Sequence, residues 1–217
     1  MAIVREICSA SVEPDGLEFL KESVRANPIR KETVYGGIRG NVEARLANVR
    51  INVQSDIGFG DAVTPEPLFI DFPGLLDFPA PKLRSYPIYT VVAEKLEALI
   101  LLGEANSRMK DFYDLWFLSR NFEFDGATLV SAIRATFERR KTPLPDEVPT
   151  GLRDEFSAIK TVQWNAFQRK SRLEKNDMGK VIRAIREFAC NPLKAARQGE
   201  RFTGIWKPTS GWLTASQ

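Results

Sequence analysis

The alternation of apolar and polar positions divides the chain into a strand-rich front and a helix-rich back. Residues 49–59 carry the clearest strand signal: Val49, Ile51, Val53, Ile57 and Phe59 alternate with Arg50, Asn52, Gln54, Asp56 and Gly58, predicting one packed and one polar face. Ala47-Asn48 is a candidate hairpin turn ahead of it. Weaker strand signals run through residues 29–38 and 42–46, interrupted by Gly36, Gly37 and Gly40. No helix start and no Lys-Ser pair follows Gly36-Gly37, so these glycines fit a bend or bulge better than a phosphate loop. Residues 2–9 read as a short helix or strand fragment with Cys8 inward, residues 13–16 as a turn, and residues 17–25 as ambiguous.

Six of the thirteen prolines fall between Pro65 and Pro87, with residues 68–72 the only strand-like piece among them. This predicts an ordered connector closing a front domain of residues 1–89, followed by a helical domain of residues 90–217. In residues 90–120 two apolar helical patterns are split by Gly103 and the polar residues 104–107, which predicts a helical hairpin opened by Thr90 as N-cap. Residues 127–140 form an amphipathic pattern with Leu129, Ile133 and Phe137 inward, broken by Pro143, Pro145 and Pro149. Residues 152–168 and 178–189 give two more helices, the second striped by Val181, Ile182, Ile185 and Phe188. Trp206 and Trp212 in the tail are expected to lie on the helical body. The expected class is α+β: a mixed or antiparallel sheet followed by a helical bundle.

The hairpin holds the candidate chemistry. Lys95 has Val91 and Val92 one turn before it and Ala98 and Leu99 one turn after, so its ammonium starts among apolar neighbours. Asp111 has Leu115 and Leu118 one and two turns on, with Asp114 at the three-residue spacing. Periodicity leaves two outcomes open. Lys95 can snorkel to water, and Asp111 and Asp114 can form a solvated face with Arg108 and Lys110; alternatively the lysine and an aspartate meet between the helices, pairing or facing a ligand.

Composition narrows the chemistry. Histidine is absent, which removes Ser-His-Asp and Cys-His nucleophiles, His-ligated zinc and the usual general base. The two cysteines, Cys8 and Cys190, lie far apart without a Cys-x-x-Cys spacing, arguing against structural zinc and a disulfide framework and pointing to a reducing cytoplasm. No apolar run is long enough to span a bilayer. A formal net charge of +3 over 217 residues says little, but residues 160–201 hold eleven Lys or Arg against four Asp or Glu. That basic third suits a polyanionic partner or a solvated helical surface equally.

The segment AEKLEAL followed by NSRMKDFYDLW resembles the paired later motifs of the AbiEii/AbiGii nucleotidyltransferase toxin family, within the DNA polymerase beta type nucleotidyltransferases. QSDIGFGD matches the place where such enzymes set a single carboxylate on a strand, and FDGATLVSAIRATFERRKTPLP is similar to the family's helical half. The resemblance covers most of the chain from about Gly16 onward, with three motifs in the family's order. It implies a type IV toxin that transfers a nucleotide from an NTP to an RNA acceptor such as tRNA, using Mg2+, with a cognate antitoxin as a further partner. By residue it implies Asp56 as the strand carboxylate and metal ligand, Lys95 as the triphosphate clamp and Asp111 as a catalytic or orienting acid. Arg108 and Asp114 would complete the nucleotide site, Asp114 holding Arg108 or Lys95. Such enzymes also carry an earlier Gly-Ser or Gly-Gly turn leading to an Asp-x-Asp pair, and none stands ahead of Asp56. The resemblance therefore implies an N-terminally incomplete sheet, an incomplete metal site and little or no activity by this chain alone. The alternative is a non-catalytic nucleic-acid- or protein-binding module that keeps the fold.

Overall fold

The computed structural model describes residues 2–29, 36–74 and 77–213. Its contacts fall into two compact units, residues 1–61 and 62–217.

The first unit holds α1 (Ala2–Ile7), β1 (Leu17–Phe19), β2 (Arg25–Ile29), β3 (Gly37–Leu46) and β4 (Val49–Gly58). Its antiparallel sheet is organised on β3. β4 pairs along the whole of β3, from Gly37↔Gly58 to Leu46↔Val49, while β2 and β1 take successive halves of its other edge. Between those halves a 3₁₀ turn, Lys21–Ser23, keeps the edge satisfied: the Ser23 hydroxyl accepts from the Glu43 amide at 2.8 Å, and the Leu20 amide donates to the Glu43 carbonyl. The hairpin turn at Ala47-Asn48 is present, with Ala47 at φ 50°. Strand signals at residues 29–38 resolve into the end of β2 and the start of β3, and residues 30–35 lie outside the described residues. Cys8 is half-buried, and α1 buries none of its side chains.

The alternation in β4 does not produce a packed face. Only Ile51 is half-buried, and Val49, Val53 and Ile57 on the same side are exposed. The physical reason is the lack of a covering layer over this part of the sheet: among the described residues β4 is bonded to β3 alone, and the unit's buried apolar side chains are Val42 and Ala44 of β3 and Val24 just ahead of β2.

The second unit contains the β5 (Leu68–Asp71) and β6 (Lys82–Ser85) hairpin, helices α2 (Ile88–Leu102), α3 (Met109–Asn121), α4 (Gly126–Arg140), α5 (Asp154–Lys170) and α6 (Met178–Gln198), and a three-stranded sheet of β7 (Phe124–Asp125), β8 (Ile205–Lys207) and β9 (Gly211–Leu213). The proline-rich segment clusters with the helices rather than with the front sheet, so the division falls at 61/62, ahead of the expected 89/90. Thr90 explains part of this. Its hydroxyl accepts from the Thr64 amide at 2.9 Å and donates to the Thr64 carbonyl at 2.8 Å, tying the segment's start to α2. Thr90 is therefore not the N-cap; α2 starts two residues earlier, behind Pro87.

The hydrophobic core sits among α2–α6. Val92, Leu96 and Leu99 from α2, Phe112 and Leu115 from α3, Leu129, Ile133 and Phe137 from α4, Phe156 and Trp164 from α5, and Ile182, Ile185 and Phe188 from α6 are all essentially inaccessible. Gly126 lets α4 start against the tail, because a Cβ there would meet Phe202 at 2.5 Å and the Gly204 carbonyl oxygen at 2.6 Å.

Helix α6 runs well past residue 189, through Pro192, to a C-cap at Gly199. A proline inside a helix leaves the carbonyl four residues back without its amide donor. Here that carbonyl belongs to Phe188, and the Trp212 indole donates to it at 2.9 Å. Trp206 plays a parallel part, donating at 2.6 Å to the Ser119 carbonyl near the end of α3. The tail thus lies on the helical body, as expected, and repairs two helices as it does so.

Candidate functional site: the amine and acids of the helical hairpin

Local sequence builds the site's frame. Gly103, at φ +50°, ends α2 and donates its amide to the Leu99 carbonyl, and a 3₁₀ turn, Gly103–Ala105, reverses the chain. The buried Asn106 side chain then accepts from the Arg108 amide at 2.8 Å, ordering the entry into α3. Asp111 falls in the first turn of α3, where the helix dipole favours a carboxylate.

Across this hairpin the Lys95 ammonium is held by two carboxylates, at 2.8 Å from Asp111 Oδ1 and 2.7 Å from Asp114 Oδ2. Arg108 Nε lies 3.1 Å from Asp111 Oδ2, and Lys110 Nζ lies 2.6 Å from Asp114 Oδ2. Of the two outcomes left open by periodicity, the structure has the inward one: Lys95 does not snorkel. Five charges form one chain, Arg108–Asp111–Lys95–Asp114–Lys110, with three cations and two anions. Burial alone would lower the Lys95 pKa, but the hydrogen bonds and charges of Asp111 and Asp114 outweigh it and hold the ammonium above its ordinary value. With 18% of its side chain still exposed, Lys95 keeps a third N–H and an approach from solvent.

Asp56 lies in the other unit, on β4. Arg39, its register partner on β3, takes both carboxylate oxygens, with Nε to Oδ1 at 2.8 Å and Nη2 to Oδ2 at 2.7 Å. The hydrogen bond from Arg39, helped by its charge, holds the Asp56 carboxyl below the usual carboxylate range, while the carboxylate in turn raises the Arg39 pKa. Each Asp56 oxygen takes one hydrogen bond from Arg39, while 45% of the side chain stays exposed. Among the described residues no group of three or more Asp, Glu, Cys or His side chains converges in a metal-holding arrangement.

A second charged cluster braces the hairpin, and the sequence reading missed it. Glu97 is buried at 2% exposure, two residues beyond Lys95. Its carboxylate accepts from Arg140 Nη1 at 2.8 Å and from the Thr142 hydroxyl at 2.5 Å, while Arg140 also lies 3.2 Å from Glu94, which accepts from the Tyr86 hydroxyl at 2.5 Å. The network fixes α2 to the end of α4. The available signal was a second glutamate within the apolar AEKLEAL, but nothing local names a partner more than forty residues away.

The basic third is thinner than its count. Lys160 is buried, with its ammonium 5.5 Å from the centroid of the Phe156 ring, so it does not belong to a surface patch. Arg186 pairs with Asp154 and Arg197 with Asp146. Arg169, Lys170, Arg172, Lys175, Lys180 and Arg183, around the turn from α5 to α6, are exposed.

An α+β chain with antiparallel sheets and a charged helical hairpin is consistent with a nucleotidyltransferase-like fold. The model of the family described as nucleotidyl transferase AbiEii toxin, type IV TA system, matches residues 2–191, and the chain belongs to this family. No curated protein and no solved structure matches it significantly. Among the described residues, no helix is long and apolar enough to cross a membrane.

Proposed function

We propose that the α2–α3 hairpin is the nucleotide-handling centre of a type IV toxin, with Lys95 binding the triphosphate of an NTP. The observation that carries this is the placement of the Lys95 ammonium between Asp111 and Asp114, charged and with one N–H to spare. Two carboxylates fix the amine in direction, so little ordering is left when a phosphate arrives. Arg108 adds a second cation beside it, Asp111 orients the amine, and Asp114 steadies it from the other side. The acceptor is an RNA, with tRNA the expected class, held through its backbone by the exposed cations around the turn from α5 to α6. The partners are the NTP, that RNA and a cognate antitoxin, and the setting is cytoplasmic.

Nucleotidyltransferases generally use a divalent metal with the NTP, and Mg2+ is the expected ion. Asp56 is paired with Arg39, and the described residues bring no carboxylate cluster to a metal, so we assign no metal-dependent step to them. The reading is of nucleotide binding with little or no turnover by this chain alone. The same observation favours the second reading, a non-catalytic module that binds nucleic acid or protein.

Titration of labelled ATP and GTP against wild type, Lys95→Met and Asp111→Asn tests the assignment. Loss of one charge-assisted contact predicts about tenfold weaker binding or more for Lys95→Met, with a smaller loss for Asp111→Asn. Unchanged NTP affinity in Lys95→Met, with only the melting temperature altered, would favour the binding module. Nucleotide transfer by the purified chain with Mg2+ at an enzyme-like rate would overturn the low-turnover reading.

A further inference from the structure

Helix α3 has a second face that the charged hairpin does not use. Tyr113, Trp116, Phe117 and Arg120 recur at the three- and four-residue spacing, so they line one stripe of the helix, turned away from Asp111 and Leu115. This stripe is open: Phe117 is 43% exposed, Tyr113 and Trp116 are half-buried, and Arg120 is exposed. The rings are ordered against one another. Phe117 lies nearly parallel to Tyr113, with an interplanar angle of 24° and centroids 6.2 Å apart. Tyr113 also meets Trp116 at 5.7 Å and Phe167 of α5 at 6.1 Å, and the Arg120 guanidinium sits 5.7 Å from the centroid of the Trp116 ring.

A lone exposed aromatic needs no explanation, but four rings joined across two helices with a guanidinium already on one of them is a different surface. Its charge sets the partner. Arg120 stands at one end of the stripe and the exposed Lys170 one turn beyond Phe167, while the nearest acid on α3, Asp114, is already held by Lys95 and Lys110. A purely apolar partner helix would leave that cationic rim without a counter-charge. Unpaired nucleobases on a phosphate backbone match both halves, because each base offers a π-face to the rings and each phosphate a charge to the cations.

We propose that this face of α3 is a stacking platform for single-stranded nucleic acid, with Phe117 as the outermost ring. It rests on the reading of an RNA acceptor and deepens it: the cations around the α5–α6 turn hold backbone, whereas this stripe reads unpaired bases, so the bound segment is a single-stranded end or loop.

The test is fluorescence anisotropy of the full chain with three labelled probes: a short oligo(rA), an abasic ribose-phosphate strand of the same length, and an RNA duplex. Wild type is expected to favour oligo(rA) over both others. Phe117→Ala should weaken oligo(rA) binding about tenfold. It should leave abasic-strand affinity, salt dependence and melting temperature unchanged, and Phe117→Trp should restore the preference. Equal wild-type affinity for oligo(rA) and the abasic strand overturns the platform, as does Phe117→Ala that binds oligo(rA) normally. Loss of antitoxin binding by Phe117→Ala, with oligo(rA) binding intact, would make the face a protein interface and also overturns it. ATP titration on the same samples keeps the two readings apart, since Phe117→Ala leaves the Lys95 centre untouched.

Discussion

Two aspartates of this chain, Asp56 and Asp111, are each bound to a cation at about the same distance, and they are not equivalent. Asp56 meets Arg39 on the surface of a thin sheet, with both side chains nearly half exposed. Asp111 meets Lys95 between two packed helices, with 12% and 18% of the side chains accessible. The geometry of the exposed pair is the better one, being bidentate, yet water competes for both partners and salt screens their attraction. The helical pair sits where water is mostly excluded, so its charges act more strongly on one another and on an incoming ligand. Surroundings, rather than contact distance, decide how strongly the charges of each pair act on one another.

The contrast between a dense helical unit and a thin sheet can be broken at its strongest point first. Phe112 is fully buried and stacked on Phe156, with centroids 5.3 Å apart. Phe112→Ala should destabilise the helical unit by about 3–5 kcal/mol, read by urea unfolding. Arg140→Ala comes next. It leaves the buried Glu97 carboxylate with the Thr142 hydroxyl and without its cation, an expected loss of about 3 kcal/mol in the same assay.

Lys95→Met should cost less, about 1–2 kcal/mol, because Asp111 keeps Arg108 and Asp114 keeps Lys110. Its pH dependence sharpens the comparison. The Lys95 pKa is raised in the folded chain, so its stabilisation is fully present below the unfolded value of about 10.4 and disappears as pH rises through the folded value. Melting curves of wild type and Lys95→Met should therefore converge on the alkaline side. If the gap between them is constant from neutral pH to strong alkali, the amine is not what stabilises the hairpin. Smallest of all, Arg39→Ala should leave the unfolding midpoint unresolved from wild type at moderate salt; a clear drop would mean that the sheet depends on its surface pair.

Much of the helical unit was legible because its signals are local and periodic. Leu129, Ile133 and Phe137 fall inward on α4 as their spacing requires, and Gly103 separates α2 from α3. Lys95 and Asp111 were legible as candidates for the same reason. The errors have a different origin. Thr90 looked like a cap and is a tie to Thr64; residue 189 looked like a helix end, yet α6 continues through Pro192 because Trp212 supplies the missing donor. Each of these depends on a partner distant in sequence. β4 fails in the opposite direction: its alternation is real, but a strand pattern does not reveal whether a covering layer exists, and in the first unit most of its apolar side chains remain exposed.

By itself the sequence determined the order and type of most elements, the family, and the presence of an amine and acids on facing arms of one hairpin. These follow from periodicity, turn chemistry and motif, all of which act over a few residues. Only the tertiary structure decided that Lys95 bridges two carboxylates, that Arg39 pairs with Asp56, that Glu97 anchors to Arg140, and that an aromatic stripe with a guanidinium lies open on α3. Whether a charge is paired, buried or exposed depends on what packing brings beside it, and packing joins residues that the chain keeps far apart.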